Sequence, residues 1–187
     1  MPSIDNNFVN KLIKQDENIY KIFVESGTYL GETIFEMEKY FNELHTIEIN
    51  EKFYNNVKNK YNGNKVNFYL GASEDKLIEI CNLLKENAIF FLDGHWSAGD
   101  TGKGEKDCPL VEELNIINEL FKYNGIIIVD DVRLFGKGPN KGDEICNWED
   151  INVNNLLSII EKRTNKYYFM PSNLYEKDRL IIHINNL

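Results

Sequence analysis

Cysteine is scarce in this 187-residue chain, and the three present, Cys81, Cys108 and Cys146, are too widely spaced to form a CxxC pair. Neither a disulfide framework nor a thiolate zinc site is therefore expected, and a reducing, cytoplasmic setting fits best. Long apolar runs are missing too: nothing approaches the ~20 residues that a helix needs to cross a bilayer. Met1 to Gln15 is polar and interrupted by charges, unlike the apolar core of a signal peptide. Positive charge is in deficit. Lys and Arg number 21 against 30 Asp and Glu, a formal net charge of −9, which argues against a nucleic-acid partner held by bulk electrostatics. No internal repeat and no long Pro/Gly/Ser linker divides the chain, so residues 1–187 are expected to form a single domain.

What is present is a regular alternation of two periodicities. Apolar residues at helical spacing predict helices over about 6–14, 32–41, 51–61, 73–84, 110–123 and 154–163. Short apolar or alternating runs predict strands at 20–24, 45–49, 65–70, 88–92, 126–129, 166–170 and 179–184. The first of these strands is expected to break at Glu25-Ser26-Gly27, and the last two to pair as a hairpin. Strands alternating with helices imply an α/β fold, doubly wound, with a mostly parallel sheet covered on both faces and an antiparallel C-terminal hairpin strand. Two stretches lack periodicity, 97–109 and 133–148. Both follow strands directly, so both are expected to wall an acceptor substrate.

Phe91-Leu92-Asp93-Gly94-His95-Trp96 and Ile126-Ile127-Ile128-Val129-Asp130-Asp131 carry the strongest chemical signal. Each reads as a buried strand that ends abruptly in carboxylates. In open α/β sheets that end is where ligands bind. Three aspartates delivered there, with an imidazole alongside, suit a hard divalent cation with a base beside it. The plainer alternatives are a doubled Asp that only caps a turn and a His95 that is a hydrogen-bonded structural residue.

At the first strand-to-helix turn, Gly27 and Gly31 are spaced G-x-x-x-G, with Tyr29 where a dinucleotide fingerprint needs its second glycine. Tyr29 would obstruct a pyrophosphate, which disfavours a nicotinamide oxidoreductase. Glu25 is a poor neighbour for phosphate but a good one for a cationic amino-acid end. Glu48 ends the next strand, where a carboxylate can accept hydrogen bonds from a ribose diol. Gly71-Ala72-Ser73 ends the third, where an adenine can lie against backbone.

Taken in order, Val24-Glu25-Ser26-Gly27-Thr28-Tyr29-Leu30-Gly31, Ile47-Glu48, Gly71-Ala72-Ser73, Leu92-Asp93-Gly94 and Val129-Asp130-Asp131 resemble the motifs of class I S-adenosylmethionine-dependent methyltransferases. The resemblance spans about residues 21–184 and implies a Rossmann-like, seven-stranded sheet whose last strand is antiparallel. It implies that Glu25, Gly27 and Gly31 line the methionine end of S-adenosyl-L-methionine, Glu48 the ribose and Ser73 the adenine. Thr28, Tyr29, Ala72 and Asp93 complete that cofactor set. Within the class, the pairing of Asp93 with Asp130-Asp131 is similar to metal-dependent sugar O-methyltransferases of the macrocin and novobiocin types and to cephalosporin-hydroxylase-like proteins. That similarity implies a divalent metal, magnesium first, on Asp93, Asp130 and Asp131, with His95 as the base and Asp93 beside it. His95 departs from the aspartate that those enzymes carry.

The implied function is O-methylation of a sugar or glycan hydroxyl. A catechol-like or other small-metabolite acceptor is the alternative, although Ser97 and Ala98 stand where catechol enzymes place a lysine. A non-catalytic cofactor- or glycan-binding module is the alternative of another class. The expected partners are a glycan acceptor, a second copy of the chain, or neighbouring glycosyltransferase domains of a longer glycan-modifying polypeptide, with no nucleic acid and no membrane.

Overall fold

The structure, a computed structural model, describes residues 2–14 and 16–187; Met1 and Gln15 lie outside the described residues. Its elements are α1 (Asn6–Ile13), β1 (Ile22–Ser26), α2 (Glu32–Met37), β2 (Glu43–Glu48), α3 (Glu51–Lys60), β3 (Val66–Leu70) and α4 (Ser73–Leu83), then β4 (Ala88–Leu92), α5 (Leu110–Leu120), β5 (Gly125–Val129), α6 (Val153–Ile160), β6 (Thr164–Met170) and β7 (Arg179–Ile184). A single 3₁₀ turn, Val132–Leu134, follows β5.

The seven strands form one sheet in the order β3-β2-β1-β4-β5-β7-β6. All pairs are parallel except those of β7, which runs antiparallel to both β5 and β6. The apolar runs explain this arrangement. The strands β1, β4 and β5 are buried along their whole length, as central parallel strands covered on both faces must be. Leu77, Ile80, Leu114, Ile117, Leu156 and Ile160 bring α4, α5 and α6 onto one face. Phe8, Leu12, Ile34 and Met37 bring α1 and α2 onto the other. Each such side chain removed from water stabilises the fold by about 1.5–3 kcal/mol. Among the described residues, no helix is long and apolar enough to cross a membrane.

Register sets the site. Ser26 pairs with Leu92, and Leu92 with Val129, so β1, β4 and β5 end level with one another. The order reverses between β1 and β4, the point where an open α/β sheet leaves a crevice. Several boundaries differ from the sequence expectation, three of them for a visible reason. β1 continues through Glu25 to Ser26, because both residues pair with β2 and β4 and the ladder outweighs the turn signal. α2 stops at Met37, where Tyr40 and Phe41 both donate back to the Met37 carbonyl. α6 stops at Ile160, which frees Arg163 to donate to the carbonyls of Ile117, Asn118, Tyr123 and Asn185.

Candidate functional site

A cavity of about 470 Å³ opens at the carboxyl ends of β1 to β4, within the range usual for small-molecule sites. Gly27, Tyr29, Glu48, Ala72, Ser73 and Asp93 all line it, as expected. Gly27 adopts φ +87°, and a Cβ there would stand 2.4 Å from the Asp93 carbonyl oxygen, so only glycine lets β1 and β4 close at this point. Glu48 accepts the Tyr29 N–H at 2.7 Å and the Asn50 N–H at 2.8 Å. A carboxylate has about four acceptor positions, so these bonds fix its place and leave capacity for a diol. Ile47, Ile49, Phe53 and Trp96 supply apolar wall.

The other three residues of the expected cofactor set do not line the cavity. Glu25 lies inside the sheet, 1% exposed, and accepts the Thr46 hydroxyl at 2.7 Å. Burial, with the Glu48 charge adding, pushes its carboxyl up to about 8. Thr28 is buried with its hydroxyl 2.5 Å from that of Thr46. Gly31 adopts φ +80° and faces Val57 of α3, where a Cβ would meet the valine at 2.6 Å. Its glycine serves helix packing rather than a ligand.

His95 stands at the mouth of this cavity between two carboxylates. Its Nε2 lies 3.1 Å from an Asp131 oxygen and its Nδ1 3.6 Å from an Asp93 oxygen. The Ser97 hydroxyl is 3.0 Å from Nε2, and the Trp148 ring meets the imidazole edge-on at 4.7 Å. Asp131 reaches this position because it adopts the left-handed conformation, φ 62°, which aspartate tolerates better than most residues. The metal-competent groupings divide the expected donor set. Asp93, His95 and Asp131 bring donor atoms within 4.8 Å of one another, and so do Asp130, Asp131 and Asp178; Asp93 and Asp130 share no such group.

Two arginines explain the division. Arg179 Nε donates to Asp130 at 3.2 Å, and one Arg133 nitrogen donates to both Asp131 and Asp178. Among the described residues no arginine bonds to Asp93, and Arg179 opposes its rise only through space. Burial, then the charges of Asp130, Asp131 and Glu25, hold it well above the usual carboxylate range. Asp130 is also raised, by burial, with Arg179 opposing. Burial acts in the same direction on Asp131, but His95 and Arg133 outweigh it and hold that carboxyl low.

Sequence reasoning missed Arg179, Asp178 and Glu113. Arg179 was legible as the one charge opening an otherwise apolar strand. Glu113 left no such signal, because Glu112-Glu113 opens α5 like any acidic first turn. It is fully buried, neither oxygen meets a donor in good hydrogen-bond geometry, and burial pushes it up to about 7 with the neighbouring Ser73 and Ser26 hydroxyls opposing. Of the two loops expected to wall an acceptor, residues 97–104 fold across the cavity that holds Glu48 and Ser73. Lys103 is tied to Asp107 at 2.8 Å and Lys106 to Glu112, so these cations are already compensated.

The architecture is shared with solved methyltransferases. A Streptococcus mutans protein in complex with S-adenosylhomocysteine superposes with a TM-score of 0.58 at 14% identity, covering 100% of both chains. Human methyltransferase-like protein 13, also in complex with S-adenosylhomocysteine, gives 0.58 at 11% identity over 90% of this chain and 73% of that one. Magnesium protoporphyrin IX methyltransferase from Synechocystis, with the same ligand, gives 0.57 at 11% identity over 97% and 81%. The chain has the class I methyltransferase fold. No family model matches the sequence, and no curated protein does.

Proposed function

We propose that this chain is an S-adenosylmethionine-dependent O-methyltransferase whose acceptor is a sugar or glycan hydroxyl. The observation that carries the reading is His95, held between Asp93 and Asp131 at the mouth of a cavity that also presents Glu48 and Ser73. Glu48 would take the ribose hydroxyls, Gly71–Ser73 with Ile49 and Phe53 the purine, and Gly27 with Asp93 the methionine end. The bound cofactor supplies an electrophilic methyl group on a sulfonium.

The chain's own part is acid–base chemistry and orientation. His95 accepts the acceptor hydroxyl's proton through a ring nitrogen, a role for which imidazole is well suited near neutral pH. Asp131, whose carboxyl is held low, balances the imidazolium that forms, by the same logic that a carboxylate serves in hydrolytic triads, and Asp93 flanks the other ring nitrogen. The ordering of both partners before reaction supplies much of the rate.

A divalent cation, magnesium first, fits the chemistry of Asp93 and Asp131 and would supply Lewis-acid polarisation of the acceptor. Asp130, engaged by Arg179, is the weakest member of the donor set expected from sequence. Incubation with methyl-labelled S-adenosylmethionine and a glycan panel, with and without chelator, tests the whole reading. Label in a glycan supports the acceptor class, and its loss on chelation supports the cation. Label only in phenols would replace the glycan reading with the small-metabolite one, for which Trp96 in the cavity wall offers stacking surface. Cofactor binding without any turnover would support a binding module instead.

A further inference from the structure

The segment after Trp96 is long, polar and rich in glycine, yet it folds back onto the protein while Ser97, Gly99, Asp100 and Lys103 stay exposed. Ala98 at φ 63° and Gly99 at φ 64° turn the chain back through two successive left-handed residues. The returning stretch then seats on the far wall of the cavity. The Asn50 side-chain amide donates to the Asp100 carbonyl at 2.8 Å. Gly102 lies so close to Ile49 that a Cβ would stand 2.1 Å from its methyl group and 3.1 Å from the Asn50 backbone nitrogen. Asp100, Thr101, Gly102 and Gly104 consequently share one cavity with Tyr29, Glu48 and Phe53. The near end of the same segment touches the base, because Ser97 Oγ is 3.0 Å from His95 Nε2 and the Ser97 N–H donates to Thr101 Oγ1 at 3.1 Å.

We propose that residues 97–104 form a flap that closes over the bound adenosyl cofactor and, through Ser97, fixes the imidazole of His95 as it closes. The inference rests on the S-adenosyl reading of the cavity. It makes the cofactor the first ligand to bind, since the seated flap covers its site, and it makes Ser97 a positioning residue for the base. Closing loops of this kind commonly assemble a site and set the rate of release.

Stopped-flow tryptophan fluorescence with S-adenosylhomocysteine tests it, because Trp96 lines the cavity. Asn50→Asp keeps the side-chain oxygen that caps α3 through the Lys52 N–H but removes the latch donor. Association and dissociation rates are both expected to rise about 3- to 10-fold, the worth of one hydrogen bond, with a smaller change in Kd. Gly102→Val, which cannot seat against Ile49, is expected to accelerate dissociation further.

Ring-nitrogen NMR of the three histidines reads the coupling to the base. S-adenosylhomocysteine is expected to shift the His95 signals fully in the wild type and in Ser97→Thr, and distinctly less in Ser97→Ala. A wild type that does not bind S-adenosylhomocysteine overturns the cofactor reading and the flap together. Binding by the wild type with unchanged rates in Asn50→Asp and Gly102→Val overturns the flap alone. A His95 shift of undiminished size in Ser97→Ala overturns the coupling.

Discussion

His95 Nε2 lies 3.1 Å from Asp131 Oδ2, although the two residues come from the ends of different strands. The contact exists because Asp131 is left-handed and because Arg133, two residues on, binds its other oxygen. The pair is therefore built from both sides. Replacing His95 with Gln or Asp131 with Asn is expected to lower methyl transfer about 10²- to 10⁴-fold, the usual worth of a positioned base. Affinity for S-adenosylhomocysteine should stay near that of the wild type, as calorimetry would show. Equal losses of binding and turnover would assign His95 to the cofactor instead.

Arg179 ties Asp130 to the N-terminal segment and to the β6–β7 connection. It donates to Asp130 and to the Pro171 and Ser3 carbonyls, and its guanidinium lies 4.9 Å from the Phe8 ring centroid. Arg179→Met leaves Asp130 as a buried, unpaired charge, and a loss of about 3–5 kcal/mol of stability is expected by denaturant titration. A loss below about 1 kcal/mol would show that Asp130 is neutral or is compensated elsewhere.

Glu113 gives the fold a pH dependence of known sign. Burial raises its carboxyl from 4.5 to about 7, so the native state keeps a proton that the unfolded chain releases. Where the native state binds more protons, stability falls as pH rises. The penalty therefore grows from about pH 4.5 upward and is complete above about pH 7. Glu113→Gln mimics the protonated form. Its stability relative to the wild type is expected to increase by on the order of 1–3 kcal/mol between pH 5 and pH 8. A difference that does not vary with pH would contradict the assignment.

Asp16 acts at the opposite end of the pH scale. It accepts from the Asn18 N–H at 2.9 Å and from the Tyr20 hydroxyl at 2.8 Å, and lies 2.7 Å from His183 Nδ1. Burial tends to raise its carboxyl, but these donors outweigh it and bring it down to about 2. A depressed acid contributes stability above its unfolded pKa and loses it as pH falls through the folded one. Neutral His183 satisfies the geometry, with Nδ1–H toward Asp16 and Nε2 accepting from Tyr168 at 3.2 Å, and burial lowers its pKa in agreement. Asp16→Asn is expected to cost about 1–2 kcal/mol at pH 7 and progressively less as pH falls from about 4 toward 2. An undiminished cost near pH 2 would count against an ionised Asp16.

Much of this was legible in the residues. The runs Ala88–Leu92 and Ile126–Val129 are apolar throughout, which only a central parallel strand requires, and their terminal aspartates marked the site end of the sheet. Gly27, Glu48 and Ser73 were legible because local chemistry, a positive φ or a strand-end carboxylate, dictates them. What depended on distant partners was not. Gly31 looks like Gly27 in sequence but answers to Val57 of α3, and Glu25 looks like a turn residue until β2 and β4 pair on both sides of it. The bond between Asp130 and Arg179 joins residues 49 positions apart, and no local pattern announced it. The fold-back of 97–104 needed Ile49 and Asn50, which no local pattern announces.

The cavity beside His95 is proposed to be an S-adenosyl site anchored by Glu48, and calorimetric titration of the wild type and of Glu48→Gln with S-adenosylhomocysteine decides the matter. One site per chain is expected in the wild type, with affinity about 10- to 100-fold weaker in the variant, since hydrogen bonds to a charged group are lost. Absence of binding at millimolar ligand, or a folded Glu48→Gln that binds as tightly as the wild type, would contradict it.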